Sequence, residues 1–81
     1  MAKIDVHTDE DRDILLKLGL RISTLRVERG LTQFRLGLLS GCTQSYICDL
    51  ELGRRNPSVI ILKRIAHALG CSLETLFKDV S

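Results

Sequence analysis

The sequence predicts an all-α protein, a compact bundle of five short helices. Apolar residues recur every three or four positions through most of the chain, and no segment alternates like a half-buried strand. Residues that favour the N-cap position precede these segments, and glycines follow most of them. Because the chain has 81 residues, it is expected to form one domain, residues 1–81, with a single small core.

Helix one is predicted from Asp9 to Arg29. Thr8 and Asp11 have the spacing of a capping box, and the acidic residues of the first turn favour the positive end of the helix dipole. Gly30 ends the helix as its C-cap. The apolar stripe that we expect to be buried consists of Ile14, Leu15, Leu18, Ile22 and Leu25.

Helices two and three are short and close together in the sequence, at about Thr32 to Ser40 and Thr43 to Leu52. Gly41 supplies the tight turn between them, and a threonine caps each helix. Two capped short helices joined by a glycine turn form a helix-turn-helix, here at about residues 32–51. This motif presents its second helix to the major groove of DNA.

Helix three is predicted to have one apolar and one polar face. Ile47 and Leu50 point inward, whereas Gln44, Ser45 and Asp49 lie on the outer face. Amide and hydroxyl side chains suit contacts with base edges and phosphates. Exposed polar residues on a helix are more often simply solvated, but a glutamine amide both donates to and accepts from adenine, so Gln44 in contact with DNA is expected to read an A·T pair.

The remaining chain is predicted to form a loop and two helices. Gly53–Pro57 is the loop, because glycine ends helices and the residue before proline avoids helical angles. Ser58 caps helix four, Gly70 ends it, and Ser72 caps helix five. The side chains expected to face inward are Ile61, Leu62, Ile65, Leu69, Leu73, Leu76 and Phe77.

The charge distribution allows a modest phosphate-binding surface. The whole chain has 12 Lys and Arg against 10 Asp and Glu; residues 1–13 hold five of the acids and two of the bases, so residues 14–81 carry ten bases and five acids, or +5. An ordinary protein domain explains this charge about as well. The acidic extension, residues 1–13, either lengthens helix one or contacts a dimer partner.

Several classes of protein are excluded by what the sequence lacks. No apolar run approaches the length of a membrane span, and the N-terminus has no apolar signal core, so we expect a cytoplasmic protein. Cys42, Cys48 and Cys71 fit no disulfide framework and no common zinc spacing, and they are interpreted mainly as small hydrophobes. Without a phosphate-binding glycine loop or a nucleophile–base pair, neither an enzyme nor a cofactor is expected.

Residues in register across four helices carry a family resemblance. They are Leu31-Thr32-Gln33, Leu36, Gly41, Tyr46-Ile47, Leu50-Glu51, Gly53, Arg55-Asn56-Pro57-Ser58, Leu62, Ile65-Ala66, Ala68-Leu69-Gly70, Ser72-Leu73 and Leu76-Phe77. Over residues 18–77 the chain resembles the phage-repressor/Cro type of helix-turn-helix regulator, often called Xre-like. Residues 44–51 also resemble the controller proteins of restriction–modification operons.

The resemblance implies a lambda-repressor-like domain of five helices that binds double-stranded DNA as a two-fold dimer. Gln33 matches a glutamine that holds a phosphate and supports the recognition helix. Gln44 and Ser45 match base-reading positions. Arg26 and Glu51 match a pair that forms an internal salt bridge. The other positions that match the DNA-contacting surface, or lie beside it, are Thr43, Tyr46, Asp49, Arg54, Arg55 and Asn56.

Some roles stay open at this stage. Asp49 either accepts a hydrogen bond from cytosine or bonds neighbouring arginines, and we favour the second. Phe34 and Leu38 share one face of helix two, where they lie against DNA sugars, contact a partner or cover the edge of the core. The candidates for the dimer surface are Val59, Ile60, Leu73 and Val80.

The sequence therefore predicts a sequence-specific transcriptional regulator that binds a near-palindromic operator as a homodimer. Whether it represses, activates by contact with RNA polymerase, or does both stays open. The alternative is an antitoxin of the same fold, which would bind a toxin and its own operator. A domain that binds only other proteins is a third interpretation.

Overall fold

The computed structural model describes residues 8–80, and within that range it contains five helices and no strand. The helices are α1 (Asp9–Glu28), α2 (Gln33–Ser40), α3 (Gln44–Glu51), α4 (Val59–Leu69) and α5 (Leu73–Leu76). The prediction of an all-α, five-helix fold is confirmed. Of the acidic extension, residues 1–7 lie outside the described residues.

The predicted caps fix where the helices begin. In every helix the hydroxyl of the N-cap residue accepts a hydrogen bond from the backbone N–H three residues later. Thr8 and Asp11 form the reciprocal capping box, with both N···O distances at 3.1 Å. Helices α1 and α3 end one residue earlier than predicted, because Arg29 and Leu52 are the C-caps.

The core takes apolar side chains from all five helices; α2 packs against α3 and α4, and α3 also packs against α1. Two predicted core positions are wrong. Ile14 is 40% exposed, since the neighbouring Leu15 turns inward instead. Phe77 is 41% exposed, because it is the C-cap of α5 and Leu76 fills the inward position.

Val80 was expected on a dimer surface, and the structure places it in the core of the monomer. Its side chain is 2% exposed and belongs to the main apolar cluster. The chain turns at Asp79, which adopts a φ of 64°, a left-handed conformation that Asp tolerates better than most residues. This turn directs Val80 back under the helices, so Val80 is not available for contact with a partner.

Arg21 of α1 and Arg29, the C-cap of α1, connect this helix to the C-terminal part of the fold. Arg21 Nε donates to the backbone carbonyl of Thr75 at 3.0 Å, and Arg29 Nε donates to the carbonyl of Leu69 at 2.5 Å. These carbonyls lie in α5 and at the end of α4, where helical partners run out. No helix among residues 8–80 has the length and apolar character needed to cross a bilayer.

Two glycines inside helices allow close packing of backbones. A Cβ built on Gly19 of α1 would lie 2.5 Å from the carbonyl oxygens of both Leu50 and Glu51 in α3. A Cβ on Gly37 of α2 would lie 2.7 Å from the carbonyl oxygen of Cys42 in the turn before α3. Because such contacts are far shorter than van der Waals distance, glycine is needed at both places.

We expect Gly19→Ala to destabilise the fold by at least about 2 kcal/mol, because the added methyl group cannot fit against the α3 backbone. An ordinary glycine-to-alanine change inside a helix has the opposite sign, stabilising by roughly 1 kcal/mol. Urea unfolding measures the difference. Thr24→Ala, an exposed change on the same helix, is the control and should alter stability by less than about 0.5 kcal/mol. Equal or greater stability of Gly19→Ala would show that α1 and α3 do not pack this closely.

Candidate nucleic-acid interface

The first turn of α3 projects polar side chains away from the core. Thr43 Oγ1 accepts from the backbone N–H of Tyr46 at 3.0 Å, which fixes the start of the helix. Ile47 and Leu50 are buried at 0% and 1% exposure, whereas Gln44 and Ser45 are exposed. The two predicted base-reading residues therefore lie on the outer face, as the spacing requires.

The C-terminal end of α3 is fixed by a buried carboxylate. Arg26 of α1 donates to Glu51 through Nε at 2.6 Å and through Nη2 at 3.1 Å, in the two-pronged geometry that suits arginine. Gln33 Nε2 of α2 donates to the same carboxylate at 2.9 Å, and Arg26 Nη1 also donates to the carbonyl of Leu31 at 2.7 Å. Glu51 therefore joins three helices.

This ion pair is shielded from water. The side chains of Arg26 and Glu51 are 14% and 6% exposed. The hydrogen bond that Arg26 donates to Glu51 raises the pKa of the Arg26 guanidinium; burial opposes this effect, and the negative charge of Glu51 adds to it. Arg26 consequently stays charged beside Glu51.

A second, looser group of charges lies at the outer edge of α3. The carboxylate of Asp49 is 3.8 Å from Nη1 of Arg54 and 3.5 Å from Nη2 of Arg55. The guanidinium of Arg55 also lies 5.5 Å from the ring centre of Tyr46, within the range of a cation–π contact. The structure therefore favours the interpretation in which Asp49 bonds neighbouring arginines.

Tyr46 is a neutral hydrogen-bond donor at this edge. Its pKa is raised mainly by burial; proximity to Cys42 adds to the rise, and the positive charge of Arg55 partly offsets it. The phenol therefore keeps its proton at neutral pH and can donate a hydrogen bond. Asn56, the last of the predicted DNA-contacting residues, is exposed and lines an open depression together with Ile14 and Leu15 of α1.

The remaining dimer candidates have unequal exposure. Val59 and Ile60 of α4 are 69% and 61% exposed, and Ile60 lines an open apolar depression with Lys63, Arg64 and His67. Leu73 is half-buried and packs against the core, which leaves only its edge accessible. Val59 and Ile60 are therefore the apolar side chains of this set that a partner could cover.

Two other predicted features have clear places in the fold. Phe34 and Leu38 of α2 are 56% and 58% exposed, so they do not cover the core edge. The three cysteines are half-buried and unpaired with one another, and Cys42 and Cys71 pack against the core. Among residues 8–80, no cluster of histidine, cysteine and carboxylate side chains is arranged to hold a metal ion.

Comparisons with known proteins agree with this geometry. A family model described as helix-turn-helix matches residues 22–76. An uncharacterised HTH-type transcriptional regulator of Sinorhizobium fredii, y4dJ, is 47% identical over 60 residues, which make up 74% of this chain and 78% of that protein. The immunity repressor protein of Bacillus phage phi105 is 39% identical over 70 residues, which cover 79% of this chain and 49% of the repressor. This chain therefore spans about half the length of that repressor.

A solved structure shows the same architecture. The restriction-modification controller protein C.AhdI from Aeromonas hydrophila superimposes with a TM-score of 0.77 at 40% sequence identity. The match covers 78% of this chain and 96% of the controller protein. The likeness therefore extends over nearly the whole of that protein.

We expect Glu51→Ala to destabilise the fold by about 3–5 kcal/mol, because it leaves the Arg26 guanidinium buried without its counter-charge. Urea unfolding followed by circular dichroism measures the loss. Glu28→Ala is the matched control: Glu28 pairs with Arg29 at 3.6 Å in an exposed position, so its loss should cost less than about 1 kcal/mol. Similar stability of the two variants would refute the structural role of the Arg26–Glu51 pair.

Proposed function

Because the chain belongs to the helix-turn-helix family of DNA-binding transcriptional regulators, we propose that it reads a near-palindromic operator as a homodimer. Two copies of α3 would enter successive major grooves, about 34 Å apart along the duplex. The family consists of DNA-binding regulators rather than enzymes, and the proposed activity is binding alone.

The exposure of Gln44 and Ser45 at the start of a rigidly held helix carries this proposal. Helix α3 is supported at its C-terminal end by Glu51 and at its N-terminal turn by the close approach of Gly37. A fixed helix axis keeps the two polar tips in one orientation relative to the duplex. In our proposal, Gln44 pairs with adenine N6 and N7, and Ser45 contacts an adjacent base edge or phosphate.

The residues around Gln44 and Ser45 supply the proposed phosphate contacts. Backbone-contacting groups fix the register of a protein on the duplex and carry no sequence information themselves. The polar and charged groups available for this role lie at the N-terminal ends of α2 and α3 and in the loop after α3: Gln33, Thr43, Tyr46, Arg54, Arg55 and Asn56. Gln33 would do so while it keeps its hydrogen bond to Glu51, since an amide nitrogen has two hydrogens.

The proposed dimer surface is the exposed apolar part of α4. Val59 and Ile60 would pack against the same residues of the second copy, with the accessible edge of Leu73 at the rim. A two-fold interface of this kind places identical patches opposite each other. Two recognition helices related by the same axis then match a near-palindromic site.

The similarity to a phage repressor and to a restriction-modification controller supports control of transcription from such an operator. Repression requires only that the dimer block a promoter, whereas activation also requires contact with RNA polymerase. Both use the same protein–DNA complex, and transcription in vitro from a promoter next to the operator separates them. Because the proposed ligand is operator DNA, we place the protein in the cytoplasm.

A second candidate function is an antitoxin that binds a toxin as well as its own operator. The exposed apolar pair Phe34 and Leu38 on α2 favours it, since such a pair has no partner in the monomer core. A toxin gene next to this one in the genome would support the antitoxin. Genes for a methyltransferase and an endonuclease would support a controller, and prophage genes a repressor.

We expect Gln44→Ala to lose operator preference while it keeps weak general DNA binding. Loss of a bidentate base contact should reduce discrimination by about 1–3 kcal/mol, or roughly 5- to 150-fold. The measurement is the ratio of affinities for an operator selected from random duplexes and for a scrambled duplex. Thr24→Ala on α1 is the control. An unchanged ratio for Gln44→Ala would show that Gln44 does not read a base.

We expect Ile60→Glu to weaken the dimer at least about tenfold, because burying a carboxylate in an apolar interface costs more than about 1.4 kcal/mol. Sedimentation equilibrium of the free protein gives the dissociation constant. Leu20→Glu is the matched control, since Leu20 is 67% exposed on α1, outside the proposed surface. If Leu20→Glu dissociates the dimer and Ile60→Glu does not, the dimer surface lies on α1 instead.

A further inference from the structure

The acid on the outer face of α3 lies against both arginines of the following loop. Asp49 is the less exposed partner, at 28%, whereas Arg54 and Arg55 are 69% and 53% exposed. The backbone adds a hydrogen bond from the Arg54 N–H to the carbonyl oxygen of Asp49 at 2.9 Å. The helix and the loop are therefore joined at Asp49 through both backbone and side chains.

Asp49 cancels part of the positive charge that this edge offers to DNA. Residues 44–58 contain two acids, and Glu51 is occupied by Arg26 and Gln33. Asp49 is thus the acid that faces the loop arginines. One carboxylate between two guanidinium groups leaves about half of their charge unbalanced.

These ion pairs are weak enough to exchange. Charged N–H···O hydrogen bonds are typically about 2.7–2.9 Å long. The Asp49 pairs, at 3.8 Å and 3.5 Å, are longer. Exposed pairs of this kind contribute about 0–1 kcal/mol each. A DNA phosphate presents the same kind of anionic oxygen to the same guanidinium groups, so it competes directly with the carboxylate.

We propose that the Asp49 carboxylate competes with DNA phosphates for Arg54 and Arg55 and thereby limits the affinity for every duplex. This inference rests on the proposed function, in which the loop contacts the DNA backbone. Opening the pairs offsets part of the energy of each phosphate contact, and the carboxylate then repels the backbone. Because non-specific binding depends almost entirely on phosphate contacts, Asp49 keeps it weak.

The test uses Asp49→Asn, which keeps the shape of the side chain and removes its charge. Affinity is measured for a mixed-sequence duplex of about 20 base pairs, long enough for two half-sites one helical turn apart. We expect binding roughly three- to tenfold tighter than wild type, as one or two exposed ion pairs can supply. The slope of log affinity against log salt should steepen by up to about 1.8, because each of the two subunits presents one more unbalanced positive charge to the phosphates.

Two controls separate competition from a general charge effect. Glu74→Gln changes the net charge by the same amount at an exposed position on α5. In a protein that carries Arg54→Gln and Arg55→Gln, Asp49→Asn should have a clearly smaller effect, because the groups for which Asp49 competes are gone and only the direct repulsion between the carboxylate and the phosphates is removed. Thermal unfolding of each variant establishes that all of them are folded.

Unchanged binding of Asp49→Asn would overturn the proposed competition, since the carboxylate would then have no effect on DNA affinity. Weaker binding would also overturn it, since the carboxylate would then itself make a favourable contact with DNA. An equal gain from Glu74→Gln, or an undiminished gain in the arginine-free protein, would also overturn it. If the wild-type protein binds no duplex at low salt, the proposed function itself fails. The two failures are therefore distinguishable.

Discussion

The orientation of α3 depends on one buried carboxylate. Glu51 accepts hydrogen bonds from Arg26 of α1 and Gln33 of α2. A single side chain at the end of α3 therefore connects this helix to both neighbouring helices. A buried ion pair contributes little net stability compared with apolar packing, because desolvation opposes the attraction. The ion pair nevertheless restricts the orientation of α3. A rotation of the helix would break charged hydrogen bonds to Glu51, and water could not replace them because the carboxylate is buried. Glu51 therefore acts mainly on the direction in which Gln44 and Ser45 project.

Close backbone packing reinforces the same orientation at both ends of α3. Gly19 lies against the last turn of α3, and Gly37 lies against the turn that precedes it. A side chain at either position would hold the backbones apart and change the helix crossing. The cost is the poor helix propensity of glycine, about 1 kcal/mol at each site relative to alanine. The fold thus gives up local helix stability to fix the element that carries the polar surface.

Local signals in the sequence predicted most of the fold and part of the site. Cap residues, glycine stops and apolar spacing act within one or two turns, so the helix bounds are correct to within one residue. The role of Gly19 could not be predicted, because its close contact is with residues more than 30 positions away. Val80 was misplaced for a related reason: its burial depends on a left-handed turn at Asp79, and no glycine marks that turn. The contact of Asp49 with arginines agrees with the favoured prediction, because Arg54 and Arg55 lie only five and six residues further along the chain.

The two acids of α3, Glu51 and Asp49, form ion pairs that differ in their exposure to water. The Arg26–Glu51 pair is 14% and 6% exposed, so solvent does not screen it and its geometry is fixed. The ion pairs of Asp49 with Arg54 and Arg55 are longer, and the arginines are exposed to solvent. Salt therefore screens these pairs, and in our proposal an approaching phosphate replaces the carboxylate. A helix that must be rigid at its base and adaptable at its edge needs both kinds. Shortening the outer pairs or burying them would make α3 more rigid, but it would also withhold Arg54 and Arg55 from the phosphates that we propose they contact.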